Sequence, residues 1–456
     1  MCEGLSISAQ NRAKTAPWRA ENACSVGGVS ESVRIGLLGC GNVGAAFVNL
    51  VNERANAIAE RTGIQLSITK VAVRDAKANR GTSLPGDAFV TDVNSVVEDP
   101  NVDLIVEVMG GISPAREAIS AALGKGKPVV TANKALLAET GAEMFAVADA
   151  TGVDLLFEAA VAGGIPFIRP LRESLRGEPI GRVMGLVNGT TNFILSKMTE
   201  EGADYADVLR EAQRLGFAEA DPTADVEAFD AASKCAIIAS IAFAADVRAA
   251  DVHREGITSV GAADIAIARR LGYVIKLLAI AERTEGSNQL SVRVHPAMVP
   301  VTHPLASVRD AYNAVFVEGA AVGSLMFYGR GAGGDPTASA VLGDVIDAAV
   351  NLKKGTHAML GSFVRPAFTP IDDTTSEYLL SLEVLDQPGV LHAITGVFAK
   401  NGVSIRAAEQ VGIGESARLV FITHSAREAS VQQCLREFGS LGVVKRSDGF
   451  IRVVGQ

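Results

Sequence analysis

The run Val33-Arg34-Ile35-Gly36-Leu37-Leu38 is short and mostly apolar, and it leads directly into Gly39-Cys40-Gly41-Asn42-Val43-Gly44. Behind the last glycine, Val43, Phe47 and Val51 recur at helical spacing. A strand, a G-x-G-x-x-G turn and a helix in that order form the fingerprint of a dinucleotide-binding βα unit. Each glycine has a physical task. Gly39 permits the tight turn, Gly41 lets the backbone approach a pyrophosphate, and Gly44 lets helix and strand pack closely. Asn42 and Val43 open the helix, whose N-terminal amides and positive dipole end favour an anion.

Further strands are expected at Leu66–Val73, Val102–Val108 and Pro128–Thr131, with a helix over Ser113–Leu123 between them. Alternation of this kind predicts a parallel sheet of the α/β Rossmann type with right-handed crossovers. Beyond about Gly164 the pattern changes. Helices over Tyr205–Leu215, Val226–Ala244 and Asp264–Ala281 and strands at Val183–Val187 and Leu290–Val294 predict an α+β unit. Gly355, Gly361, Pro366 and Pro370 mark a linker. The end of the chain reads as βαββαβ. Its first helix starts at Pro388 and stops before Gly402, and its second is preceded by a capping-box pair, Ser425 and Glu428. The expected organisation is a flexible tail over 1–31, a dinucleotide-binding domain over 32–165 and a substrate-binding and dimerisation domain over 166–352. The last helix of that domain returns to the first. A linker over 353–376 and a small regulatory domain over 377–456 complete the chain.

With 456 residues, 48% of them hydrophobic and 20% charged, the chain is long enough for about three globular domains and is not disordered as a whole. A net charge of −9 argues against a dedicated nucleic-acid or anionic-membrane binder. No apolar run reaches the roughly 18–20 residues that span a bilayer, and residues 1–30 lack the apolar core of a secretory signal. Five scattered cysteines form neither a CxxC pair nor a His/Cys cluster. A cytoplasmic protein is expected.

The second strand ends Val71-Ala72-Val73-Arg74-Asp75. An acid at that position bonds the ribose 2′-hydroxyl of NAD, whereas an arginine holds the 2′-phosphate of NADP. Arg74 comes first, so NADP(H) is the expected cofactor, and Asp75 leaves NAD(H) open.

Three polar sites stand out from the sequence. Asp230 and Lys234 lie one helical turn apart at the edge of the apolar segment Cys235–Ala239, so they share a helix face. A lysine against apolar surface can have its pKa adjusted towards proton transfer. A solvated surface pair is the alternative. Asp225 is expected to cap the helix that follows Asp221-Pro222. Lys134 follows the strand at Pro128–Thr131, at the carboxyl end where open α/β sheets bind ligands.

Together, GCGNVG (39–44), TANKALL (131–137), FEAAVAGGIP (157–166), NGTTNFIL (188–195), GFAEADPTADVEAFDAASK (216–234) and YGRGAGGDPTASAVLGD (328–344) resemble homoserine dehydrogenase, from about Val33 to Leu352. LEVLDQPGVLHAITGVFAKNGVSI (382–405) resembles an ACT regulatory domain. The resemblance is to the monofunctional form with one C-terminal ACT domain. An aspartokinase fusion is not expected, because only residues 1–31 precede the nucleotide fold.

The resemblance implies NAD(P)H-dependent interconversion of L-aspartate 4-semialdehyde and L-homoserine, on the route to threonine and methionine. It makes Lys234 the proton donor and Lys134 a contact to both nicotinamide and substrate. Glu219 and Asp230 become the acids that bind the substrate amino group or order the site. Asn188, Gly189 and Thr190 become a hinge with substrate contacts. Gly331 and Gly333 are expected to return close to the cofactor. The resemblance further implies a structural monovalent cation, sodium, held by Glu158 with the carbonyls of Val161, Gly163 and Ile165. It also implies a homodimer or homotetramer, and feedback inhibition by L-threonine through the ACT domain near Asp386 and Gly389. Two rivals are another NADP-dependent amino-acid dehydrogenase and a non-catalytic amino-acid sensor. The first leaves the 216–234 stretch unexplained, and the second would not require Lys134, Lys234 and Glu219 together.

Overall fold

A computed structural model describes residues 31–284, 286–412 and 417–454. The expected tail therefore falls, but for Glu31, outside the described residues. The first sheet is parallel. Its strands are β1 (Glu31–Leu38), β2 (Ile64–Ala72), β3 (Phe89–Val90), β4 (Leu104–Glu107), β5 (Val129–Thr131) and β6 (Leu155–Leu156), in the order β3-β2-β1-β4-β5-β6. The order reverses between β1 and β4, and such a switch point opens a crevice at the carboxyl ends of the strands. β1 and β4 are apolar because both faces of the sheet are covered: Val33, Ile35, Leu37, Leu38, Leu104, Ile105 and Val106 are buried. One cover is the helix Asn42–Thr62. Another comes from far along the chain: the helix Gly334–Lys354 buries Ala338, Val341, Val345, Ala348 and Ala349 in the same core.

The second sheet has eleven strands. The second domain, expected from the sequence to bind substrate, contributes β7 (Ile180–Leu186), β8 (His253–Arg254), β9 (Tyr273–Arg283), β10 (Leu290–Pro300), β11 (Tyr312–Gly319) and β12 (Gly323–Arg330). The C-terminal unit contributes β13 (Thr375–Val384), β14 (Ile405–Val411), β15 (Arg418–Thr423), β16 (Ala426–Arg427) and β17 (Val444–Val453). The main path runs β12-β11-β7-β9-β10-β17-β13-β15-β14. The two units join where β10 pairs in parallel with β17, Ala297 opposite Arg452 and Met298 opposite Val453. The C-terminal unit thus continues the hydrogen-bonded ladder of the domain before it.

Three local expectations need correction. The helix expected over Asp264–Ala281 covers only Ala262–Arg270, and Gly272 (φ 82°) turns the chain into β9. Residues 275–281 are all buried, so their apolar run has no face to distinguish a helix from a strand buried on both sides. The capping box fails because the last helix begins at Glu428 behind Arg427, with no side-chain cap. Glu428 is buried and bonded to Arg452 instead. Asp225 lies inside the short helix Thr223–Val226 rather than capping the next one, which starts behind Ala228 in the left-handed region (φ 63°).

Candidate active site

The glycine turn occupies the carboxyl end of β1. Gly39 has φ 96°, and a Cβ there would stand 2.9 Å from the Val108 carbonyl oxygen. A Cβ on Gly44 would stand 2.5 Å from the Gly39 oxygen, so strand and helix touch through backbone alone. A Cβ on Gly41 would meet nothing within 4 Å. That space belongs to a cavity of about 530 Å³ walled by Gly39, Gly41, Val73, Arg74, Arg80 and Pro114. A second cavity, about 330 Å³, shares Val108, Met109 and Gly110 with it and adds Val43, Asn133, Lys134, Lys234 and Gly331. The two form one cleft from the end of β2 to the substrate domain, which suits a dinucleotide laid over the switch point.

Arg74 is exposed at the outer cavity. Asp75 does not line it, and its Oδ1 accepts the Lys77 amide at 2.9 Å. Arg80 was not singled out from the sequence. It reaches the cavity because its guanidinium donates to the Asp75 and Ala78 carbonyls and lies 5.4 Å from the Phe89 ring centre. An arginine in a loop gives no sequence signal for such a return.

Lys134 is the first residue of the helix Lys134–Thr151, behind β5. Asn133 caps that helix, its Oδ1 accepting the Leu136 amide at 3.2 Å while its Nδ2 donates to the Gly111 carbonyl at 2.6 Å. The cap rests on Glu107, a fully buried carboxyl group at the end of β4 that the sequence reading also passed over. Glu107 accepts the Thr131 hydroxyl at 2.6 Å and the Met109 amide at 2.8 Å, and Thr131 Oγ1 accepts the Asn133 amide. Burial pushes the Glu107 pKa up against these bonds. Glu107 thereby ties the 109–111 turn to the start of the Lys134 helix.

Lys234 lies on the helix Phe229–Phe243, one turn from Asp230. The distances are 2.8 Å from Lys234 Nζ to Asp230 Oδ2 and 2.5 Å from Lys134 Nζ to Asp230 Oδ1. Lys234 also donates to the Val187 carbonyl at 2.7 Å. An ammonium has three N–H donors, so one is left to point into the cavity. The Lys234 side chain is 11% exposed and that of Lys134 45%. Burial lowers the Lys234 pKa, assisted by Lys134 and opposed by Asp230. Burial would raise the Asp230 pKa, but the ammoniums of Lys234 and Lys134 outweigh it and hold the carboxyl well below its ordinary range.

Asn188 caps the helix Gly189–Glu201 through Oδ1 and turns its amide onto Asp230 Oδ2 (2.9 Å) and Asp225 Oδ1 (2.6 Å). Gly189 packs so tightly that a Cβ would stand 2.8 Å from the Ala311 oxygen. Thr190 Oγ1 donates to the Phe217 carbonyl at 2.6 Å, fixing the start of the loop that carries Glu219. Glu219 itself is exposed and does not line the Lys134–Lys234 cavity. Gly331 does, and Gly163 is packed against it: a Cβ on Gly163 would stand 2.3 Å from the Gly331 oxygen. Gly333 (φ 126°) precedes the returning helix Gly334–Lys354.

The Glu158 carboxylate is held by three main-chain amides. Its Oε1 accepts the Phe167 and Ile168 amides at 2.5 and 2.7 Å, and its Oε2 accepts the Arg169 amide at 2.8 Å. Both oxygens serve the start of the next helical turn. Among the described residues no group of three or more His, Cys, Asp or Glu side chains could hold a metal ion.

In the ACT-like unit, Gly389 (φ 91°) precedes the helix Val390–Lys400, and Asp386 Oδ1 accepts Gln410 Nε2 at 3.1 Å. Among the described residues no helix is long and apolar enough to cross a membrane.

Comparison with known proteins gives the family of each part of the chain. Residues 39–158 match the family model "Homoserine dehydrogenase, NAD binding domain", residues 166–346 the model "Homoserine dehydrogenase", and residues 378–443 the model "ACT domain". The chain is 49% identical to a homoserine dehydrogenase of Corynebacterium glutamicum over 430 residues, covering 93% of this chain and 96% of that one. It is 48% identical to one from Mycobacterium tuberculosis strain H37Rv over 438 residues, covering 94% and 99%. The crystal structure of a homoserine dehydrogenase from Thiobacillus denitrificans superposes with a TM-score of 0.87 at 40% identity, covering 93% of this chain and 98% of that one. The three matched domains and the relatives that share nearly the whole chain place it in the homoserine dehydrogenase family of NAD(P)-dependent oxidoreductases acting on a CH–OH group.

Proposed function

We propose that the Lys134–Asp230–Lys234 cluster carries out the proton transfer in the interconversion of L-aspartate 4-semialdehyde and L-homoserine. The observation that carries this reading is the bridging of both ammoniums by one buried carboxylate in the cavity that continues the glycine-loop cleft. When bound, the reduced nicotinamide supplies the hydride for the carbonyl carbon. The remaining N–H of Lys234 donates to the carbonyl oxygen and delivers the proton as negative charge grows there. Its lowered pKa makes that transfer easier than from a solvated lysine. Lys134 adds positive charge at the same oxygen and at the cofactor side of the cleft. Asp230 orders the two lysines, and Asn188 orders Asp230. Glu219, exposed on the loop held by Thr190 and outside the cavity lining, is the carboxylate for the substrate ammonium in this reading. NADPH consumption with aspartate semialdehyde tests the reading; turnover by the wild type and a loss on the order of 10²–10⁴-fold in Lys234→Ala is the expected result.

NADP(H) is the preferred cofactor in this reading. Two guanidinium groups, Arg74 and Arg80, face the outer cavity, while Asp75 is held by its own loop. A monovalent cation in this reading rests on Glu158, whose Oε2 accepts one amide, with the main-chain carbonyls of Val161, Gly163 and Ile165, and it supplies no chemical step. L-Threonine is the proposed effector, bound near Asp386 and Gly389 at the start of the first ACT helix. A cytoplasmic homodimer or homotetramer belongs to the same reading; the free edge of β12, with Tyr328 exposed, supports an assembly.

A further inference from the structure

Arg452, in the last strand of the ACT unit, is buried and makes four charged hydrogen bonds. Two go to Glu428 of its own unit, at 2.6 and 2.7 Å, and two go to Glu255 of the substrate domain, at 2.7 and 2.9 Å. Burial would push the Glu255 carboxyl up, but His253 and Arg452 outweigh it and hold it well below its ordinary range. Two other side-chain contacts between the units, Arg270 with Glu409 and Arg406 with the Tyr273 hydroxyl, are exposed.

Glu255 belongs to a segment clamped on the turn before the Asp230 helix. Arg254 donates to the Glu227 carbonyl at 3.2 Å, the Ile257 amide to the Val226 carbonyl at 2.8 Å, and the Thr258 hydroxyl to the Glu227 carboxylate at 3.0 Å. A Cβ on Gly256 would stand 2.4 Å from the Val226 oxygen, so the backbones touch. The clamped turn contains Ala228, a buried non-glycine residue in the left-handed region (φ 63°). Such a conformation persists only where its surroundings enforce it. Asp225 and Asp230, which share the Asn188 amide, flank this residue.

We propose that Glu255 is a positioning residue: held by Arg452 of the ACT unit, it fixes the 254–258 clamp and so the placement of Asp230 between the two lysines. A change in the ACT unit can reach the substrate site through this ion pair and this turn. The inference rests on the reading of Asp230 as the residue that orders Lys134 and Lys234.

The test uses the full chain with Glu255→Gln, which keeps shape and removes the charge, and Thr258→Val, which cuts the clamp without touching the domain junction. Glu409→Gln, at the exposed junction pair, is the control. Steady-state kinetics of homoserine oxidation, NADPH binding by fluorescence and thermal melting are read for each. Both Glu255→Gln and Thr258→Val are expected to lower kcat for homoserine oxidation roughly tenfold with NADPH affinity and melting temperature close to wild type, because the placement of the proton-transferring lysines is disturbed. Glu409→Gln is expected to match wild type in kcat. A wild-type kcat in Thr258→Val, or in a folded Glu255→Gln, overturns the inference, as does an equal fall in Glu409→Gln. A wild type without homoserine turnover instead sinks the functional reading, and this inference with it.

Discussion

Lys134, at the mouth of the parallel sheet, and Asp230, on a helix of the substrate domain, meet with Nζ and Oδ1 2.5 Å apart. This contact closes the cleft between the two domains and places the second ammonium beside Lys234. Without Asp230 the two cations would repel each other in a partly buried site. With it, the cluster carries a net positive charge next to a cavity that can take a carbonyl oxygen.

Replacing Lys234 by Ala removes the proposed proton donor. A positioned general acid contributes on the order of 10²–10⁴-fold, and turnover should fall by about that factor. NADPH affinity, measured by fluorescence titration, should stay close to wild type, since Lys234 lies at the substrate end of the cleft. Turnover near the wild-type value would exclude the role.

Asp230→Asn should move the pH profile in a defined direction. Asp230 raises the Lys234 pKa, so removing its charge lowers that pKa further. Aldehyde reduction requires the protonated lysine, and activity declines as pH rises through its pKa. The alkaline limb of kcat for semialdehyde reduction should therefore shift to lower pH in Asp230→Asn. An unmoved or raised limb would show that Lys234 is not the titrating donor.

Arg74→Ala and Arg80→Ala should each weaken NADPH binding by roughly tenfold or more while changing NADH binding by less than about twofold, a loss of about 1.4 kcal/mol confined to the phosphate. Isothermal titration with both cofactors measures this. Equal losses for NADPH and NADH would place the arginines elsewhere than at a 2′-phosphate.

Asp344 predicts a stability signature. It is buried beside Glu158, and burial together with that carboxylate pushes its pKa up to about 7 despite Arg169. A group whose folded pKa exceeds its unfolded value of 3.8 binds more protons when folded, so stability is lost as pH rises from about 4 to 7. Asp344→Asn escapes this loss. Its melting temperature relative to wild type should climb by a few degrees between about pH 5 and pH 8. A difference independent of pH would contradict the shifted titration.

Threonine should inhibit the wild type, and Asp386→Ala should relieve that inhibition while leaving uninhibited turnover within about twofold, because Asp386 is exposed on a C-terminal unit that has its own core, far along the chain from the lysine cluster. Activity that ignores a saturating dose of threonine would point to another effector.

The sequence alone determined what local periodicity and backbone sterics control. The β1–glycine turn–helix unit was legible because a G-x-G-x-x-G turn leaves few alternatives at Gly39 and Gly44. Asp230 and Lys234 were legible as a pair because four residues on a helix are one turn. Where burial removed the pattern, at Tyr273–Arg283, the reading failed. Only the tertiary structure brought Lys134 to Asp230, Glu107 to Thr131, Arg80 to the nucleotide cavity and Arg452 to Glu255, because no sequence period relates residues on different elements. It also set the Phe167, Ile168 and Arg169 amides around the Glu158 carboxylate. A buried carboxylate binds whichever donors the fold places around it, and a sequence names the acid without naming those donors.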